Sequence, residues 1–263
     1  MKTVKNGLRR VNVLGFPVDN VTPDGAASII EKNLSSCSRN RPQFAVTPNP
    51  TMLMAAGRNP ELADAIRNAD LSLADGIGIV GAAKRAGTPL PSRVTGIDTG
   101  FSAMKSAAKL GVPVFLLGGK PGVASDAAKN LCEQIRGLIV AGTGDGYFDR
   151  DGMEDKNVIS QVVSSGAGLL ILCLGSPRQE IWAHRHLDEL VGVRQVMMLG
   201  GALDVWAGRT HRAPRVLRAL HLEWLWRMLC QPKRFAYLPD LIRFRIITSR
   251  ISMRRKNKND NNS

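Results

Sequence analysis

The sequence predicts an α/β protein, a Rossmann-like layered parallel sheet with a C-terminal basic helical appendage. Three observations carry that prediction. Short apolar runs bounded by glycine alternate with helical patterns over the first 206 residues. Several of these runs are apolar at consecutive positions, as in strands buried on both faces. After Gly208 the alternation stops, and a basic segment rich in Trp and Leu follows.

In chain order, strand-like runs fall at 10–14, 44–47, 71–74, 112–117, 138–141, 169–174 and 195–199. Helical patterns lie between them at 24–34, 59–68, 97–109, 122–134, 154–163 and 177–187. Asp24 and Asn59 stand where side-chain N-caps belong. This alternation predicts parallel strands joined by crossover helices, with ligands gathered at the carboxyl ends of the strands. Beyond it, 215–229 reads as one helix carrying Trp224 and Trp226 and closed by Pro232. A second helix is expected over 239–253. There Leu241, Phe244, Ile247 and Ile251 recur at three- and four-residue spacing, with Arg243, Arg250 and Arg254 on a neighbouring sector. The expected division is an α/β core over 1–208, a basic helical appendage over 209–255 and a disordered tail over 256–263.

Hydrophobic residues make up 44% of the chain and aromatics only 5%, which suits an Ala-, Val- and Leu-rich core and excludes a disordered or fibrous chain. No apolar run approaches the ~20 residues that span a bilayer. The basic N-terminal stretch lacks the apolar segment of a signal peptide. Four cysteines (Cys37, Cys132, Cys173 and Cys230) follow no metal or redox spacing. Cys173 lies inside an apolar run and reads as a buried thiol, in keeping with a reducing cytoplasm.

Charge is unevenly placed. The chain carries 36 basic and 22 acidic residues, +14 in all. From Ala207 onward fourteen basic residues face three acidic ones, so +11 lies in the last 57 residues and +3 in the preceding 206. A basic end of this kind implies a polyanionic partner, nucleic acid or an anionic membrane face. Two basic amphipathic helices favour the membrane over nucleic acid or over simple packing on the core. Trp224 and Trp226 either dock the first helix on the core or reach the lipid interface.

Chemistry-bearing residues cluster next to the predicted strand ends. Asp75 ends the 71–74 run beside Gly76 and Gly78. A carboxylate there can act as general base toward a hydroxyl, or it can cap the helix that follows. Thr47 and Asn49 offer a hydroxyl and an amide suited to a sugar, or form a Pro-punctuated turn. Arg93 can hold a diphosphate with two parallel bonds, or sit solvated in its loop. Gly118 and Gly119, before a helix starting near Gly122, form the most phosphate-like loop. They make neither GxGxxG nor a Walker loop, so a nicotinamide oxidoreductase gains no support. Gln179 opens a helix after 169–174, where its amide can reach a phosphate or sugar. Asp204 follows Gly200-Gly201, where it can hold a ribose or uracil. Both serve equally well as ordinary turn residues.

In order and wording, the chain's segments resemble the WecG/TagA/CpsF glycosyltransferase family, also called glycosyltransferase family 26. The shared segments are Thr47-Pro-Asn, Ala74-Asp-Gly-Ile-Gly-Ile-Val, Arg93-Val-Thr-Gly, Phe115-Leu-Leu-Gly-Gly-Lys-Pro, Asp145-Gly-Tyr-Phe, Gly175-Ser-Pro-Arg-Gln-Glu, Gly200-Gly-Ala-Leu-Asp-Val, Arg212-Ala-Pro, and Leu222-Glu-Trp-Leu-Trp-Arg followed by Gln231-Pro-Lys-Arg. They run in one order from about Val11 to about Arg245.

The resemblance implies a metal-independent transferase at the cytoplasmic membrane face. Such enzymes pass N-acetylmannosamine from UDP to undecaprenyl-diphosphate-N-acetylglucosamine, and related members use N-acetylmannosaminuronic acid or glucose. It makes Asp75 the catalytic base and sets Thr47, Asn49, Arg93 and Gln179 around the sugar and diphosphate. Substrate binding is further expected at Gly118, Gly119, Tyr147 and Asp204. Arg227 and Arg234 match two appendage arginines that reach the active site, and a third basic position falls on Tyr237. The expected partners are a UDP-sugar, a lipid-diphosphate acceptor and an anionic membrane surface, with no nucleic acid. No metal or other cofactor is expected, and a homo-oligomer is left open.

Overall fold

The computed structural model of the chain describes residues 3–5, 7–36, 41–149 and 152–260, with backbone alone at 3–4 and beyond 251. Cys37 and the last three residues of the expected tail lie outside the described residues.

The chain opens with three antiparallel strands, β1 Thr3–Lys5, β2 Leu8–Val13 and β3 Phe16–Asp19. The strand expected at 10–14 is therefore present but stands outside the parallel sheet. Leu14 and Gly15 take φ of 54° and 88°, the two-residue turn that folds a strand back on itself, and Asn12 accepts the Gly15 amide at 2.8 Å. Arg10 staples this small sheet to the body. It pairs with Asp19 at 2.9 Å and donates to the Ala69 and Asp70 carbonyls, while Asp19 accepts the Ser72 amide at 2.7 Å. Burial pushes the Asp19 carboxyl above its ordinary range despite Arg10.

Helix α1, Pro23–Ser35, is capped by Thr22 rather than by Asp24. The Thr22 hydroxyl accepts the Gly25 amide at 3.1 Å, and Pro23 takes the first helical position, where a missing N–H is harmless. Strand β4, Gln43–Val46, leads to α2 Pro50–Ala56 and α3 Pro60–Asn68, capped by Asn49 and by the expected Asn59, then to β5 Leu71–Ser72. The seven residues of α2 are too few to show a helical period in sequence. Next come α4 Ile77–Arg85, α5 Gly96–Lys109, β6 Val114–Gly118, α6 Val123–Gln134 and β7 Val140–Gly144. The core alternation closes with α7 Met153–Ser164, β8 Leu169–Cys173, α8 Arg178–His186, β9 Gln195–Met198 and α9 Ala202–Trp206.

Six strands form one parallel sheet in the order β5-β4-β9-β8-β6-β7. Every residue of β4, β6, β8 and β9 is buried, as their apolar runs predict. Helices α1, α5, α6 and α9 cover one face around Leu116, Ile171 and Met197. The other face, with Leu117, Leu172 and Met198, lies under α7 and α8. A third cluster joins the antiparallel sheet to α2, α3 and α4 and takes in Phe244 from the C-terminal helices.

The helix expected over 215–229 is two, α10 Arg215–Ala219 and α11 Glu223–Cys230, broken where His221 takes φ 58°. A 3-10 turn over Pro232–Tyr237 follows, and α12 runs Leu238–Asp260, beyond the expected 239–253. Its backbone is helical over 256–260, a stretch of lysine, asparagine and aspartate within the expected tail. Helix α12 packs on α2 and α4 through Phe244, and Arg58 clasps Asp240 with bonds of 2.9 and 2.7 Å.

Candidate active site

Strands β4 and β9 lie side by side, yet the chain leaves them on different sides, into α2 and α3 from one and α9 from the other. Such a divergence opens a crevice at the strand ends. Three bonds hold its walls. Thr47 donates to the Met198 carbonyl at 3.1 Å, the Asp75 amide to the Pro48 carbonyl at 3.0 Å, and the Val94 amide to the Ala74 carbonyl at 3.0 Å.

Asp75 stands half-buried at the floor, and its carboxylate accepts the Gly96 amide. It does not cap α4. The N-cap residue is Gly76, no side chain bonds the free amides of that helix, and Gly76 takes φ 129°, a turn that aims the chain away and leaves the carboxylate in the cleft. Burial pushes the Asp75 carboxyl above its ordinary range. Arg227, Arg93 and the Gly96 amide pull it back, and Glu223 adds to the rise. Raised proton affinity makes a carboxylate a stronger general base.

Around Asp75 a cleft of about 570 Å³ brings together Asn49, Arg93, Arg227 and Arg234. Asn49 commits its Oδ1 to capping α2, accepting from the Met52 amide at 3.0 Å and the Thr51 hydroxyl at 2.7 Å. Arg234 lies beside Arg227 and donates to Gln231 at 2.5 Å. Tyr237, at the third appendage position, also lines the cleft. Trp226 donates to the His211 carbonyl at 3.3 Å, whereas Trp224 stands 45% exposed at the rim.

Sequence reasoning missed Glu223, Arg212, Arg85 and Arg245. Glu223 is a buried hub, 3.4 Å from Arg93, 3.7 Å from Arg212 and 3.8 Å from Arg227. Arg212 also grips Asp98 with bonds of 2.6 and 2.7 Å. An acid four residues before an arginine reads in sequence as an ordinary helical pair, which hides this role. Arg85 and Arg245 line another part of the same cleft, and Arg85 donates to Thr248 of α12 at 2.7 Å.

Other expected residues do not line this cleft. Thr47 and Gln179 lie behind its floor. Gln179 donates to Glu180 at 2.7 Å and accepts the Gly200 amide at 3.2 Å, which fixes the turn after β9. A Cβ at Gly118 would collide with the Cys173 carbonyl, and the Gly119 amide donates to that carbonyl at 3.2 Å. Ala124 and Ser125, in the uncapped first turn of α6, face a second cavity of about 500 Å³ that Tyr147 and Asp145 also line. Asp204 stands in the first turn of α9, near Gly201 and Cys173. The Cys173 thiol is pushed up to about 12 by burial, as expected of an inert core cysteine. Among the described residues, no three His, Cys, Asp or Glu side chains gather as metal ligands.

One carboxylate of raised proton affinity among arginines, at the switch point of a parallel sheet, is the equipment of a group-transfer enzyme for phosphorylated substrates. The sequence model of the Glycosyl transferase WecG/TagA/CpsF family matches residues 11–258, and the chain belongs to that family of glycosyltransferases. Over 197 residues the chain is 32% identical to a Bacillus spizizenii protein named N-acetylglucosaminyldiphosphoundecaprenol N-acetyl-beta-D-mannosaminyltransferase, an overlap covering 75% of each chain. Among the described residues no helix is long and apolar enough to cross a membrane.

Proposed function

We propose that the protein transfers N-acetylmannosamine from UDP-N-acetylmannosamine to undecaprenyl-diphosphate-N-acetylglucosamine, with inversion at the anomeric carbon. The observation that carries this reading is the Asp75 carboxylate, held by the Gly96 amide in a cleft shared with Arg93 and Arg227. The choice of sugar and acceptor is supported by the name of the Bacillus relative.

In this mechanism the acceptor hydroxyl gives its proton to Asp75 as its oxygen bonds to the anomeric carbon. The bond from that carbon to the UDP oxygen breaks, and its electron pair leaves with UDP. General-base help of this kind contributes ~10²–10⁴-fold. Arg93, Arg227 and Arg234 offset the charge growing on the departing diphosphate. Asn49 meets the donor sugar, while Thr47 and Gln179 act from behind by holding the turns. The uridine extends past Leu199 along the strand ends toward Gly118, Gly119 and Asp204, with Tyr147 at the outer end.

The C-terminal helices are the part that meets the cytoplasmic membrane face. Among the described residues, eleven of the seventeen exposed large apolar side chains fall within 216–251, a segment that itself carries seven basic and two acidic residues and is flanked by further basic ones. Apolar and basic surface in one place suits an anionic bilayer. The reading is tested with UDP-N-acetylmannosamine, UDP-N-acetylmannosaminuronic acid or UDP-glucose and a short-chain lipid-diphosphate-N-acetylglucosamine, weighing the product. Addition of one N-acetylhexosamine from the first donor supports it. A product from another donor only moves the specificity, and no product from any donor overturns the reading.

A further inference from the structure

We infer that Arg85 and Arg245 form a second anion subsite, built for the diphosphate of the lipid-linked acceptor, with the prenyl chain leaving over Ile242 and Ile246. This rests on the proposed transfer to a lipid-diphosphate sugar, and the experiment below separates the two.

The arginines of the cleft fall into two groups. Arg93 and Arg227 share Glu223 and act on Asp75, with Arg234 beside Arg227. Arg85 on α4 and Arg245 on α12 form the other group. They lie close enough for Arg245 to disturb the charge on Arg85, and among the described residues neither forms an ion pair with a carboxylate. Two guanidinium groups held together without a counter-charge repel, and an arriving dianion removes that repulsion. Thr248 anchors the Arg85 guanidinium at 2.7 Å, while Arg85 Nε is buried with no acceptor. A buried donor without a partner is uncommon and calls for an explanation such as a ligand.

The placement separates the two diphosphates of the reaction. Helix α4 begins two residues after Asp75 and ends at Arg85, so Arg85 is rooted roughly 12 Å along the helix axis and its guanidinium reaches back to Gly81, one turn nearer the base. One hexose and a diphosphate have that reach, and they are what separates the attacking hydroxyl from the lipid. The donor diphosphate, whose bond breaks beside the base, belongs with Arg93 and Arg227. Ile242 and Ile246, one helical turn apart and exposed by 53% and 46%, line the cleft beside Arg245. An amphipathic prenyl diphosphate meets both the charged pair and this apolar edge, whereas a nucleotide brings nothing apolar to it.

The test uses full-length protein, with Arg245→Gln as the main variant because Arg245 is exposed and packs no core. Arg85→Gln is the second variant. Calorimetry measures binding of farnesyl diphosphate and, separately, of UDP, and steady-state kinetics gives KM for acceptor and donor. Loss of these charge-assisted contacts is expected to weaken farnesyl diphosphate binding and raise acceptor KM by about tenfold or more, with UDP affinity and donor KM changed less than about twofold. Unchanged farnesyl diphosphate binding in Arg245→Gln overturns the subsite, as does absence of binding by the wild type. An equal loss of UDP affinity also overturns it, by assigning the pair to the donor. If farnesyl diphosphate binds and both variants lose it while no UDP-sugar yields product, the subsite stands and the transfer reading fails.

Discussion

The two walls of the cleft are built differently. The sheet-side wall carries Asp75, Asn49 and Arg93 on turns bound to one another by short hydrogen bonds over fully buried strands. The C-terminal wall hangs on side-chain pairs, Arg58 with Asp240, Arg85 with Thr248 and Arg93 with Glu223, together with the buried Phe244 and Met228. Neither α10 nor the 3-10 turn contains a buried residue. Elements with few buried contacts open at low free energy, whereas core strands open last. On the proposed mechanism the base thus sits on the firmly held wall together with Arg93, while Arg227 and Arg234 sit on the wall that opens more easily for a lipid-borne acceptor.

Removing the C-terminal wall tests this contrast most severely. Truncation after Gly208 is expected to leave a folded sheet, since β9 ends at Met198 and α9 at Trp206, while turnover and retention on anionic vesicles are lost. Circular dichroism and vesicle flotation at low and high salt check it. An unfolded truncation, or equal flotation of both forms, breaks the division of labour.

A smaller effect separates catalysis from recruitment within that wall. Arg227→Ala combined with Arg234→Ala should lower kcat roughly 10²-fold while flotation weakens only modestly. Lost flotation with kcat preserved would reverse the roles. Smaller still is the effect of Glu223→Gln, read in the pH profile. In the proposed mechanism Asp75 works deprotonated, so activity is expected to be lost as pH falls through its raised pKa. Removing the Glu223 charge lowers that pKa, and the acid limb of kcat should move to lower pH. A limb that stays in place makes Glu223 a docking residue alone.

The parallel sheet was legible because two-sided burial writes itself as unbroken apolar runs, as in 169–174. The N-terminal hairpin was not, since Leu14-Gly15 lacks the Asn-Gly or Asp-Gly signature of its turn. Strand-end placement and family resemblance together pointed to Asp75, Asn49, Arg93, Arg227 and Arg234, which the fold gathers in one cleft. Thr47 and Gln179 carry the same sequence signal, yet they bond the Met198 carbonyl and the Gly200 amide. A polar side chain beside a strand-end glycine looks alike whether it meets a ligand or the backbone. The hub at Glu223 depends on arginines brought in from positions 93 and 212, which no local spacing reveals.

The most direct test of Asp75 as the base is the Asp75→Asn variant, measured for turnover and UDP binding together. The amide keeps the shape and can still accept the Gly96 N–H, but it cannot take a proton. Turnover is expected to fall ~10²-fold or more with UDP affinity nearly unchanged. Thermal stability at neutral pH should hold or rise. A carboxyl whose pKa is raised on folding favours the folded state at low pH, and that contribution is lost as pH rises through the folded pKa. Turnover within about threefold of wild type would contradict the general-base mechanism and leave Asp75 a structural residue at the end of β5.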